Sequence, residues 1–200
     1  PQLTELPVPL IVNVMGFTPG ELAALVERVS AETPAVAIEL NVSCPNVETG
    51  TIVGSDPAAC EATVRAVRGR TGLPLIVKLT PNATDPAEVA RAAEAAGADS
   101  VSLINTLRGL PFDPRTGRPW LGGGTGGVSG PAVRNIALSQ VASVREAVGI
   151  PIVGMGGVAS GADADDMIRA GATLVAVGTA SFRDPLAAVV IRDGMTLDHL

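Results

Sequence analysis

Short apolar runs and longer amphipathic stretches alternate along this chain of 200 residues. The runs are rich in Val, Ile and Leu on both faces, which is typical of strands buried in a parallel sheet. The amphipathic stretches indicate helices, and Asp-Pro pairs mark several of their starts, with Asp as the N-cap and Pro in the first turn. Strands are predicted at 9–15, 36–43, 75–79, 100–105, 151–153 and 174–177. Helices are predicted at 20–32, 57–68, 86–97, 131–149 and 160–170, and a last one from 185.

This regular alternation predicts a parallel sheet with helices outside it. A closed TIM (β/α)8 barrel needs eight strand–helix units and typically about 250 residues. The chain supplies about six units in 200 residues and begins with Pro1 rather than Met. We therefore expect one α/β domain over residues 1–200, an incomplete TIM barrel that lacks its first two strands. An open, doubly wound sheet is the competing architecture.

Composition limits the partners. A net charge of −6 and an aromatic content of 2% argue against nucleic acid, which needs basic and stacking side chains. No apolar run reaches the roughly 18 residues of a membrane span. The cysteines, Cys44 and Cys60, have no CxxC spacing, so we expect a reduced pair in a cytoplasmic protein rather than a disulfide. Cys60 lies in a helix pattern and is expected to be a small buried hydrophobe.

The second predicted strand ends in the polar segment Asn41-Val-Ser-Cys-Pro-Asn46. Pro45 cannot continue a sheet ladder, so Cys44 and Asn46 should lie at the carboxyl end of the strand, where barrels place their catalytic groups. The only histidine, His199, is close to the C-terminus, which argues against a Cys-His hydrolase. Cys44 as nucleophile, proton base or inert thiol stays open, and a base is favoured over an acyl carrier.

Glycines follow the last two predicted strands, in Gly154-Met-Gly-Gly157 and Gly178-Thr179. Glycine lets backbone N–H groups approach an anion, and these loops commonly bind phosphate in barrels. Gly126-Gly127 with Gly130 forms a third such turn that could close over the same group. The alternative is a set of tight turns without a ligand. The spacing is not GxGxxG, so a Rossmann site is not supported.

Other strand ends carry polar side chains as well. Lys78 ends an apolar strand and needs a partner, because an isolated buried charge is costly. A base, a Schiff base, an anion partner and a structural ion pair with Glu39 all remain open for it. Asn13, Asn41 and Asn105 suggest one ligand with several amide or imide groups.

Two further features complete the pattern. The acidic cluster Asp163, Asp165 and Asp166 lies at a helix start and is expected to complement the helix dipole rather than bind a metal. The Gly- and Pro-rich stretch 106–129 is predicted to be a long loop that is functional or mobile.

The segment Asn41-Val-Ser-Cys-Pro-Asn46 resembles the active-site loop of class 1 dihydroorotate dehydrogenases, flavoenzymes of pyrimidine synthesis. The resemblance extends from about Pro9 to Pro185. In that family flavin mononucleotide (FMN) lies across the barrel mouth, with its phosphate on the last two strand loops. The resemblance implies a flavin site made by Asn13, Asn41, Lys78, Ile104, Gly130, Gly156, Gly157, Gly178 and Thr179. It implies a dihydroorotate site made by Asn41, Asn46, Asn105 and Thr106.

The resemblance also implies chemical roles. Cys44 would take a proton from C5 of dihydroorotate while hydride passes from C6 to the flavin, and Lys78 would stabilise negative charge on the ring. Cysteine at the base position is similar to the soluble class, since the membrane-linked class carries serine. Segments 105–109 and 126–131 look most like the NAD-linked subclass. Its catalytic subunit works with a second subunit that carries FAD and an iron–sulfur cluster, and a homodimer core is expected.

The chain departs from the family pattern in two ways. A lysine and an Asn-containing loop on the family's first two strands have no counterpart, and residues 192–200 show no match. Two alternatives therefore stand beside the main hypothesis. One is a dihydropyrimidine dehydrogenase subunit, although those enzymes usually have His where this chain has Asn46. The other is a non-catalytic barrel remnant that binds phosphate ligands.

Overall fold

Residues 6–43 and 52–197 are described by a computed structural model of the protein. Their strands are β1 (Leu10–Val14), β2 (Ala35–Asn41), β3 (Leu75–Lys78), β4 (Ser100–Leu103), β5 (Leu107–Gly109), β6 (Gly126–Val128), β7 (Ile152–Met155) and β8 (Leu174–Ala176). Their α-helices are α1 (Pro19–Glu32), α2 (Pro57–Arg68), α3 (Pro86–Ala95), α4 (Arg134–Ala147), α5 (Gly161–Arg169) and α6 (Ala187–Asp193).

Six strands form one parallel sheet in the order β1-β2-β3-β4-β7-β8, which is their order along the chain. A doubly wound sheet reverses its strand order at a switch point, so that alternative is wrong. Sequential parallel order is the arrangement of a TIM barrel, and six units are two fewer than closure needs. The predicted incomplete barrel is therefore confirmed.

The helix starts follow from local chemistry. The side chains of Thr18, Asp56, Asp85 and Ser160 each accept a hydrogen bond from a backbone N–H in the first turn of α1, α2, α3 and α5. Such a cap stabilises a helix by about 1 kcal/mol. The predicted start of the last helix is wrong in detail, because α6 begins at Ala187 with no side-chain cap.

Successive side chains of each strand face opposite sides of the sheet. The side chains on one side are fully buried and belong to one core with the apolar faces of the helices. Examples are Ile38, Leu40, Val77 and Leu103. Burial of each such side chain stabilises the fold by about 1.5–3 kcal/mol. On the other side, the sheet lines a cavity at the carboxyl ends of its strands.

The predicted loop 106–129 contains secondary structure that the sequence did not reveal. Strands β5 and β6 pair as an antiparallel hairpin, with Leu107 opposite Val128. Two further bridges, between Phe112 and Pro119 and between Leu121 and Gly124, lie inside it. Among the described residues, no helix is long and apolar enough to cross a membrane.

Candidate active site

The cavity has a volume of about 890 Å³ and is lined from all six strands of the sheet or from the loops that follow them. Ten of the predicted site residues line it: Asn13, Lys78, Ile104, Asn105, Thr106, Gly130, Gly156, Gly157, Gly178 and Thr179. Asn41 contacts this set through Asn105. Cys44 and Asn46 lie outside the described residues. The described members of the predicted site thus lie around one cavity or, in the case of Asn41, next to it, and their binding roles stay a prediction.

One end of the cavity is a cradle of backbone groups. Gly130, Gly156 and Gly157 have φ values of 82°, 126° and 76°, in the left-handed region that favours glycine. A Cβ at Gly157 would lie 2.9 Å from the carbonyl oxygen of Gly130, so the two loops approach more closely than other residues allow. A Cβ at Gly178 would meet no atom within 4 Å, because it would project into open space.

The donors of this cradle fit an anion. The backbone N–H groups of Gly156, Gly157 and Gly178 donate to no other described residue. The hydroxyl of Thr179 donates to Ser129 Oγ at 2.9 Å and so joins the β8 loop to the segment before Gly130. Unpaired N–H groups around a glycine-lined recess are the usual features of a phosphate site.

Two parts of the predicted glycine loops lie elsewhere. Gly154 belongs to β7 and faces the core, where a Cβ would lie 2.8 Å from the Cβ of Ala172. Gly126 and Gly127 belong to β6 and line a separate cavity of about 290 Å³ beside the hairpin. The prediction that this pair closes over the same group as Gly130 is therefore wrong.

The amide side chains of Asn41 and Asn105 are hydrogen-bonded to each other at the carboxyl edge of the sheet. Asn41 Oδ1 accepts from Asn105 Nδ2 at 3.1 Å and from the N–H of Ser43 at 3.2 Å. Asn105 Oδ1 in turn accepts from the N–H of Thr106 at 2.8 Å. Because the oxygens of both amides are engaged, Asn41 keeps its Nδ2 group as a donor for a ligand.

The hairpin is tied to the site by Asn82, which the sequence did not single out. Its Nδ2 donates to the carbonyl oxygen of Thr106 at 3.0 Å, and its Oδ1 accepts from the N–H of Arg108 at 3.0 Å. The same Nδ2 group donates to Thr80 Oγ1 at 3.0 Å. Asn82 therefore acts like an additional peptide group that fixes the start of β5 beside the strand ends.

An ion pair between Lys78 and Glu39, one of the alternatives left open for this lysine, is not found among the ion pairs of the described residues. Among the described residues, Lys78 has no acidic partner within 4.0 Å, although its side chain lines the cavity. Glu39 instead accepts hydrogen bonds from Asn13 and Ser102. The ammonium group of Lys78 thus stays available to an anionic or electron-rich ligand.

The acidic cluster behind the cradle has several roles. Asp163 caps the start of α5 and also pairs with Arg134 Nε at 2.7 Å. Burial raises the pKa of Asp163, but hydrogen bonds from Ser160 and Ala159 and the charge of Arg134 hold it below its ordinary value. Asp166 pairs with Arg134 as well, which joins α4 to α5.

Asp165 does not complement the helix dipole, contrary to the prediction. It is 1% exposed and accepts from the hydroxyl and the N–H of Thr196, at 2.6 and 2.9 Å. These hydrogen bonds hold its pKa below the ordinary value. Asp165 therefore anchors the segment that follows α6.

Cys60 is buried in the core, as predicted. Burial, and to a lesser extent the charge of Asp56, raises the pKa of its thiol to about 12. The group is neutral at physiological pH and has no part in the site.

The family model of dihydroorotate dehydrogenase matches residues 1–197. The chain belongs to the dihydroorotate dehydrogenase family. The match includes residues 192–197, where sequence inspection found none, and corrects that expectation.

Curated relatives in the family are similar over nearly the whole chain. The catalytic subunit of dihydroorotate dehydrogenase B (NAD(+)) from Trichlorobacter lovleyi is 49% identical over 98% of this chain and 64% of its own length. That from Geobacter sulfurreducens is 51% identical over 94% of this chain and 62% of its own. Dihydroorotate dehydrogenase A (fumarate) from Lacticaseibacillus paracasei is 47% identical over 88% of this chain and 60% of its own length. The chain thus spans less than two thirds of the length of these relatives.

A solved structure confirms the fold. A crystal structure of DHODH from Eimeria tenella in complex with ferulenol has a TM-score of 0.71 to this chain. The two are 24% identical, and the similarity covers 88% of this chain and 52% of the other.

Proposed function

We propose that the full-length protein oxidises dihydroorotate to orotate with bound FMN, as a step of UMP synthesis. The observation that carries this proposal is the single cavity in which a glycine cradle, carboxamides and Lys78 meet at the carboxyl edge of the sheet. Membership of the dihydroorotate dehydrogenase family supports the same reaction. It does not favour the dihydropyrimidine dehydrogenase subunit or the phosphate-binding remnant.

The cradle residues fit the phosphate of FMN. The free N–H groups of Gly156, Gly157 and Gly178 would hold it, together with the Thr179 hydroxyl, whose proton would turn from Ser129 Oγ to the phosphate. Lys78, Asn13, Ile104 and Gly130 line the remaining space for the ring and its side chain. When bound, the flavin would supply the hydride acceptor, which no amino-acid side chain provides.

The substrate would be held by Asn41, Asn105 and Thr106, together with Asn46. Because Asn105 engages Asn41 Oδ1, Asn41 would present Nδ2 as a donor to a carbonyl or carboxylate oxygen of dihydroorotate. Cys44 would remove the proton from C5, a base contribution of about 10²–10⁴ in rate. Cys44 and Asn46 are assigned from the sequence alone.

The electron acceptor and the assembly are part of the same proposal. The B-type relatives, which are named as NAD(+) catalytic subunits, support an NAD-linked enzyme with a partner subunit. We propose that this partner carries FAD and an iron–sulfur cluster, as the resemblance implies. We further propose a homodimer core and a cytoplasmic location. The A-type relative, which is named for fumarate, makes direct reduction of fumarate the second candidate. Turnover with fumarate in the absence of any partner subunit would favour that candidate.

The decisive experiment combines flavin binding and turnover in the full-length protein. Wild type should purify with flavin absorbance, and Cys44→Ser should retain the flavin while kcat for dihydroorotate falls about 10²–10⁴-fold near neutral pH. The matched control is Cys60→Ala, at the cysteine that has no contact with the site. Unchanged turnover in Cys44→Ser would remove Cys44 as the base, and a wild type without flavin would refute the proposal.

Substrate preference distinguishes a dihydroorotate dehydrogenase from a dihydropyrimidine dehydrogenase subunit. If dihydrouracil were oxidised faster than dihydroorotate, the dihydropyrimidine dehydrogenase alternative would replace the one proposed. Flavin binding without turnover of either compound would instead support a non-catalytic barrel.

A further inference from the structure

Glu39 lies on the cavity side of β2, two residues before Asn41, and has no role in the function described so far. Its Oε2 accepts from Asn13 Nδ2 at 2.5 Å and its Oε1 from Ser102 Oγ at 2.6 Å. Neither donor is charged, and Glu39 makes no ion pair with another described residue. Within the described ranges, the carboxylate is thus held in the floor of the cavity by two neutral donors.

These contacts fix the amide of Asn13. An ionised carboxylate can only accept hydrogen bonds, so Asn13 must turn its Nδ2 group toward Glu39. The Oδ1 of Asn13 receives no hydrogen bond from any residue in the described part of the chain. Asn13 lines the cavity, and it therefore keeps Oδ1 as an acceptor for a ligand.

The strand register makes this arrangement rigid. Asn13 on β1 stands directly opposite Glu39 on β2. Ser102 is on β4, fully buried, so the side chain of Glu39 reaches across β3 to meet it. Because the backbone register places Asn13 opposite Glu39, the hydrogen bond between these two side chains does not depend on the one to Ser102.

We propose that Glu39 is a positioning residue of the cofactor site. It holds Asn13 with Oδ1 free, so that this corner of the cavity takes a hydrogen-bond donor of the flavin, an imide N–H or a hydroxyl of its side chain. Without the carboxylate the amide can flip and present Nδ2, which repels such a donor. The inference rests on the proposed flavin site and assigns to Glu39 no contact with the reacting atoms.

The test is a double-mutant cycle in the full-length protein with FMN removed. FMN affinity is measured by quenching of flavin fluorescence, and apoprotein stability by thermal unfolding. Glu39→Gln and Asn13→Ala should each weaken FMN binding about tenfold, as expected for loss of one oriented hydrogen bond to a charged or polar partner. Because Glu39 acts through Asn13, Glu39→Gln should add less than about twofold in the Asn13→Ala background.

Ser102→Ala is the matched control, because it removes the other hydrogen bond to Glu39 and leaves the one to Asn13. It should change the melting temperature and keep FMN affinity within about twofold. If Ser102→Ala weakens FMN binding as much as Glu39→Gln does, the cause is a general disturbance of the residues beneath the cavity and the proposal is wrong. Should Glu39→Gln not fold, Glu39→Asp takes its place with the same expected non-additivity.

Two other outcomes are decisive. Full affinity for FMN in Glu39→Gln, or additive losses in the double variant, would overturn the role of Glu39 while the flavin site stands. Failure of the wild type itself to bind FMN would instead refute the proposed function.

Discussion

Replacement of Gly178 by alanine tests the cradle with little effect on the fold. A Cβ at this position meets no atom within 4 Å, so the protein itself has room for the added methyl group. Gly178 is exposed at the start of the turn Thr179–Phe182 and lines the cavity. If the phosphate of FMN occupies the recess, the methyl group takes the space of a phosphate oxygen.

The two consequences differ in size. Stability should change by no more than about 0.5–1 kcal/mol, since no contact is lost and alanine reduces the freedom of the unfolded chain. Displacement of the phosphate from one charge-assisted hydrogen bond costs about 1.5–3 kcal/mol, which corresponds to a Kd about 10- to 150-fold weaker. Gly178→Ala should therefore separate binding from stability.

The assay is a fluorescence titration of apoprotein with FMN, alongside urea unfolding without FMN. Gly72→Ala is the matched control, because its Cβ also meets nothing within 4 Å but lies between α2 and β3, away from the cavity. Gly157→Ala should behave differently and reduce both stability and FMN affinity. Its φ of 76° disfavours alanine, and the added Cβ would lie 2.9 Å from the carbonyl oxygen of Gly130. An FMN affinity in Gly178→Ala within twofold of wild type would show that no phosphate lies against this residue.

Three further predictions concern residues outside the cradle. In the folded protein Cys60 should resist alkylation at neutral pH, and Cys60→Ser should cost about 1–3 kcal/mol in urea unfolding; rapid alkylation would contradict its burial. Because the pKa of Asp165 is lowered on folding, the stability it adds is present above its unfolded pKa of about 3.9 and lost as the pH falls through the folded value. The difference in melting temperature between wild type and Asp165→Asn should shrink below about pH 4, and a constant difference would exclude this linkage. Asn82→Ala should raise KM for dihydroorotate severalfold and speed tryptic cleavage after Arg108, with FMN affinity unchanged; equal cleavage rates would mean that the hairpin is held by other contacts.

The features that could be predicted from the sequence are those with a local cause. Asp56 and Asp85 cap their own helices two residues away, and a proline follows each, so the helix starts were predictable to the residue. The ends of the second and third strands could be located to within two residues, because Asn41 and Lys78 interrupt apolar runs. These same ends carry the candidate site, which is why fold and site were predicted together.

The hairpin of 107–128 had no such signal. Its strands are three residues long, and β6 consists of Gly126, Gly127 and Val128, which neither alternate in polarity nor favour extended structure. The hairpin is held instead by Asn82, more than twenty residues earlier in the sequence. A contact of that range cannot be seen in a local pattern.

The polar residues in the floor of the cavity, Glu39 and Ser102, differ from the hairpin, because a local pattern in the sequence does indicate them. Side chains of a strand return to the same face every second residue, so the residue two before each strand-end ligand lies one layer deeper on the cavity side. Counting back from Asn41 leads to Glu39, and counting back from Ile104 leads to Ser102. Both of these residues are polar, and Ser102 donates a hydrogen bond to Glu39. The same count from Asn13 and Lys78 leads to Ile11 and Ile76, which line the cavity as apolar surface. A carboxylate among apolar side chains needs hydrogen-bond donors, because its burial without them is costly. For Glu39, the donor from β1 is the amide of Asn13, which also lines the candidate flavin site.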